Sequence, residues 1–97
     1  GGVGFSAFAA AKTALRAFAQ SLAREFGPQG IHVAHVVVDG GIDSPRIREQ
    51  QPERVAAAGE DGLLVPEHLA KNYLMLHQQP KDAWTFELDL RPWRERW

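Results

Sequence analysis

Phe8 and Lys12 stand four residues apart in the run Phe-Ala-Ala-Ala-Lys that opens an apolar, alanine-rich stretch. Residues at that spacing lie on one helical face, so both side chains can address the same ligand. A lysine offers a mobile cation with three donors, whereas a phenyl ring has no proton to give. The pair therefore points to binding a ligand, with no proton to exchange at position 8. A plainer reading stands beside it: Lys12 as a solvated lysine on an alanine-rich helix and Phe8 as a core residue. Ser6 is read as a helix cap, not a nucleophile. Ser44 suits a cap too, and capping is compatible with a ligand contact because helix N-termini attract phosphate. His32 and His35 are placed on opposite faces of a strand, and His68 and His77 are too far apart on their helix to pair, so no metal site is expected. Glu87 and Asp89 share a strand face and are read as its polar side, not as an acid pair.

The elements that must position these residues come from a chain of 97 residues with formal charge -1 and no cysteine. That composition indicates one small domain over residues 1–97, without disulfides or cysteine-ligated metal, in the cytoplasm. A domain of this size buries only about 60 to 65% of its unfolded surface, so a partner or further segment would add stability. Eleven basic and twelve acidic residues are interspersed, which leaves no electrostatic footprint for nucleic acid. No apolar run approaches the roughly 18 residues of a membrane span, so no membrane role is expected. Arg91, Arg94 and Arg96 beside Trp93 and Trp97 are read as a solvated tail with aromatic anchors, the alternative being a phosphate or base-stacking patch.

Ser6 as N-cap starts a helix that runs to about Phe26, with Phe8, Ala11, Leu15, Phe18, Leu22 and Phe26 forming one apolar stripe. Gly27, Pro28 and Gly30 stop it. Ile31 to Val38 is β-branched and almost continuously apolar, the pattern of a strand buried on both faces of a parallel sheet. Asp39, Gly40 and Gly41 end that strand, and Ser44-Pro45 caps a short helix over 46–51. Residues 46–62 are polar, with Pro52, Gly59 and Gly62 but no sustained apolar face, and are read as a mobile lid. Pro66 and Glu67 open another helix, with Leu69, Tyr73 and Leu76 on one face and Pro80 beyond its end. Trp84, Phe86, Leu88 and Leu90 then alternate with polar residues as a half-buried strand ended by Pro92. The order helix, strand, helix, strand indicates an α/β fold with a parallel crossover.

Phe5 to Leu15, with Phe8 and Lys12 within it, resembles the active-site helix of the short-chain dehydrogenase/reductase family, whose motif is Tyr-x-x-x-Lys. Ala23-Arg24-Glu25-Phe26-Gly27 with Gly30-Ile31-His32-Val33 is similar to that family's helix end and next strand. Val37 to Ser44 resembles its Pro-Gly-x-Val/Ile-x-Thr segment, with Asp39 in place of the proline. The resemblance covers nearly the whole chain, but only the C-terminal portion of such an enzyme. It implies part of a doubly wound, NAD(P)-binding Rossmann-type fold and hydride transfer between NAD or NADP and an alcohol or carbonyl. It further implies that Lys12 positions the nicotinamide ribose, that Phe8 occupies the position of the proton-donating tyrosine, and that Gly40, Ile42 and Ser44 border the nicotinamide.

The family's glycine-rich dinucleotide loop and catalytic serine are not supplied by this chain. Gly1-Gly2-Val3-Gly4 follows no strand and is read as a loop into the helix. The family also implies a homo-oligomer formed through the first helix and the last strand. A second expectation follows from the same features: a truncated, non-catalytic relative that serves as an oligomerisation or interaction module.

Overall fold

The computed structural model describes residues 4–95, and the chain divides into two compact units, residues 4–35 with 79–88 and residues 36–78 with 89–95. The fold is α/β, its helices joined in sequence with a two-stranded sheet of β1 (His35–Val38) and β2 (Glu87–Leu90). The strands run parallel, His35 N–H donating to Phe86 O at 2.7 Å in the first unit and Asp39 N–H to Leu90 O at 2.9 Å in the second. Among the described residues no helix is long and apolar enough to cross a membrane.

The first unit is built on α1 (Ser6–Phe26), whose alanines and straight-chain residues favour helix. Phe5 holds the cap position without a side-chain bond. Ser6 is the first helical residue, one position too late to cap, because a capping hydroxyl needs the extended backbone that precedes the helix. The expected stop is present: Gly27–Gln29 form a 3₁₀ turn and Gly30 takes the left-handed conformation at φ 84°. A side chain there would cost roughly 1 kcal/mol, which is why glycine serves.

Beyond that turn, the His32 ring stacks on Trp84 with centroids 4.6 Å apart and planes 4° from parallel. His32 Nε2–H donates to Thr85 O at 2.8 Å. Gln79 brackets the same threonine, accepting from its N–H and donating to its Oγ1, both at 2.8 Å. Arg16 reaches across from α1 to pair with Glu87, its guanidinium 5.6 Å from the centre of the Phe86 ring. This cluster accounts for two corrections. The strands expected over 31–38 and 84–90 shorten to four residues each, because His32 is committed to the Trp84 ring and the Thr85 carbonyl instead of to a ladder. His32 also lies outside the strand, so it and His35 do not occupy opposite strand faces.

The second unit holds α2 (Pro45–Gln50), α3 (Pro52–Ala58) and α4 (Pro66–His77), each with proline in its first turn, where a missing N–H costs nothing. Ser44 caps α2 as expected, its Oγ accepting from Ile47 N–H at 3.3 Å. Residues 46–62 thus contain two short helices, one of which buries Ile47. A parallel bridge joins Ile42 to Leu64, with Leu64 N–H donating to Gly41 O at 2.8 Å and Asp43 N–H to Leu64 O at 2.7 Å.

Ile47 and Leu76 are the buried aliphatic residues among those described, 8% and 5% exposed. β1 is half-buried, not enclosed on both faces: His35, Val36 and Val37 are partly exposed and Val38 is exposed. In β2 the anticipated alternation holds, Leu88 and Leu90 turning inward and Glu87 and Asp89 outward.

Candidate functional site

α1 presents Phe8 and Lys12 together. The Lys12 ammonium lies 5.5 Å from the centroid of the Phe8 ring, within range of a cation–π attraction. Phe8 is 60% exposed, which overturns its reading as a core residue. Its alanine-rich surroundings offer too little bulk to cover an aromatic ring. Among the described residues no carboxylate pairs with Lys12. The helix therefore displays a cation with its donors available, beside a ring that cannot exchange a proton.

Gly40, Ile42 and Ser44 belong to the second unit, whereas Phe8 and Lys12 belong to the first. Gly40 sits at φ 139°, and a Cβ there would come within 2.8 Å of Pro92 Cδ. Glycine at 40 is thus demanded by backbone conformation and by the proline ring. Ile42 is 42% exposed beside its bridge to Leu64. The Ser44 hydroxyl accepts the Ile47 N–H bond described above. Asp43, between them, accepts a forked pair of bonds from Arg48 at 2.7 and 2.9 Å. The Arg48 side-chain bonds hold the Asp43 carboxyl below its ordinary range, so it stays ionised and engaged.

The polar segment and the C-terminal arginines also build a cavity of about 640 Å³ in the second unit, walled by Gly41, Arg54, Leu63, Trp93, Arg94 and Glu95. Arg94 lies 4.7 Å over the Trp93 ring. Arg91, three residues earlier, instead pairs with Asp39 at 3.1 Å and Asp89 at 2.7 Å. That pairing holds the Asp89 carboxyl below its usual range. The terminal arginines therefore divide into a structural one and a cavity-lining one; Arg96 and Trp97 lie outside the described residues, as do Gly1, Gly2 and Val3. The Arg-Trp adjacency was the available signal for this cavity. The contribution of Arg54 was hidden inside a segment with no motif. No cluster of metal-ligand type occurs among the described residues.

Comparison with known proteins found no match to a family model or to a curated protein. Among solved structures the chain is similar to a short-chain dehydrogenase from Rhodopseudomonas palustris, with 44% identity and a TM-score of 0.66 over 96% of this chain. The chain spans 32% of the length of that protein.

Proposed function

We propose that the chain is a relative of the short-chain dehydrogenases and forms the nicotinamide-side portion of an NAD(P)-dependent oxidoreductase acting on an alcohol or carbonyl. The observation that carries this reading is the matching sequence and fold over nearly the whole chain, together with Lys12 displayed without a carboxylate partner among the described residues. The dinucleotide would supply or accept the hydride. Lys12 would hold the nicotinamide ribose through its ammonium, Gly40, Ile42 and Ser44 would border the nicotinamide, and residues 46–62 would cover the substrate. The parent fold in this reading is a doubly wound Rossmann-type sheet in a cytoplasmic homo-oligomer. Phe8 supplies no proton. A general acid contributes on the order of 10² to 10⁴ in rate, so the proposed site is far better suited to binding than to turnover.

A second reading is favoured by Phe8 together with the exposure of Leu15 and Phe18, 51% and 63%. In it the chain is a non-catalytic relative whose α1 stripe joins copies or partners. Titration of the 97-residue chain with NADH and NADPH, followed by nucleotide fluorescence and heat, separates the two. The first reading expects saturable binding; its absence leaves the interaction module.

A further inference from the structure

We propose that the cavity between α3 and the C-terminal segment is a binding site for a small oxyanion, a carboxylate or a phosphate group, held by Arg54 and Arg94. It stands on the second unit alone and does not draw on the dinucleotide reading. Arg54 and Arg94 both line the cavity, and a glycine leaves room beside each guanidinium group. A Cβ on Gly41 would lie 3.3 Å from Arg54 Nη2, and one on Gly59 would lie 3.0 Å from Arg94 Nη1. Gly59 has φ 73° and ψ -168°, a backbone region essentially restricted to glycine, so the space beside Arg94 is fixed by the fold.

Among the described residues the Arg54 side chain has no hydrogen bond or ion pair, and Arg94 has only its stack on Trp93. That ring contact supplies no hydrogen-bond acceptor oxygen, so the guanidinium N–H groups remain for a ligand. Two like charges facing one cavity repel, and an anion relieves the repulsion while accepting forked, charge-assisted bonds. Glu95 also lines the cavity, so its described charged residues sum to +1, which suits a single oxyanion better than a highly charged one.

Calorimetric titration of the chain with inorganic phosphate and, separately, with acetate tests the assignment, with chloride at matched ionic strength as the control. Saturable binding of either probe is expected, and the tighter one identifies the ligand class. Arg54→Gln and Arg94→Gln should each weaken binding about tenfold, while Arg24→Gln on α1 should not change it. Glu95→Gln should tighten binding by roughly threefold or more, a gain that misfolding cannot mimic. Binding no stronger than that of chloride, arginine variants equal to wild type, or a Glu95→Gln variant with unchanged or weaker affinity would overturn the proposal.

Discussion

The Lys12 ammonium sits 5.5 Å from the centre of the Phe8 ring, one helical turn away on the exposed face of α1. Replacing that ring with a phenol places an ionisable group beside a fixed cation. Phe8→Tyr is therefore expected to introduce a tyrosine that titrates below the ordinary value of about 10. In a Phe8→Tyr, Lys12→Ala double variant the value should return to about 10. Phenolate absorbance against pH, read as a difference from the parent chain, checks this, and identical curves for the two variants would deny any coupling.

Exposure of the α1 stripe carries a prediction about association. Phe8, Leu15 and Phe18 are 60%, 51% and 63% exposed, an apolar face that a lone chain leaves in water. Self-association is expected at tens of micromolar, a range set by the usual strength of such contacts. Phe18→Glu should shift sedimentation velocity toward the monomer. A monodisperse wild-type monomer would count against an oligomer built on this face.

Stability should depend on few positions. Leu76 is 5% exposed on α4, while Leu74 two residues earlier is 55% exposed. Leu76→Ala should cost about 2 to 4 kcal/mol and Leu74→Ala under about 1 kcal/mol, measured by urea unfolding. Comparable costs for both would mean that α4 buries a different face.

Gly40 tests the loop that the resemblance places beside the nicotinamide. With φ at 139° and Pro92 Cδ 2.8 Å from a would-be Cβ, Gly40→Ala should cost about 1 to 3 kcal/mol through strain and crowding. The loss should appear in thermal unfolding with no nucleotide present. A neutral substitution would remove the packing explanation for this glycine.

Two surface carboxylates give the acid limb of the stability profile. Asp43 and Asp89 are held below their ordinary value of 3.8, chiefly by side-chain bonds from Arg48 and Arg91. A depressed folded value means stability fully present above 3.8 and lost as pH falls through the lowered value. Arg48→Gln should flatten that loss. Because the groups are exposed, added salt should shrink the wild-type effect as well. Unfolding midpoints collected between pH 2 and 5 check it, the interval spanning the acid limb of such titrations at about those values.

Local chemistry was more legible in the sequence than pairing length. The end of α1 at Gly27–Gly30, the Ser44-Pro45 start of α2 and the Pro66 start of α4 all follow from residues that act on their own backbone. The strand boundaries were not readable that way. His32, Trp84, Thr85 and Gln79 meet across more than 45 positions of chain and withdraw residues from the ladder. Residues 52–58 lacked an apolar periodicity, yet Pro52 at the first turn starts a helix there. In the candidate site, the Phe8–Lys12 face was visible from spacing alone. The convergence of Arg54 with Arg94 was not, because it depends on glycines at 41 and 59 making room.

Lys12 as the proposed contact to a nicotinamide dinucleotide is tested most directly by two lysine variants compared in one assay. NADH and NADPH are titrated into wild type, Lys12→Ala and Lys71→Ala, the last an exposed lysine on α4. Lys12→Ala is expected to weaken binding about tenfold, the loss of a charge-assisted bond, while Lys71→Ala binds as wild type. Equal affinity in all three proteins would contradict the account.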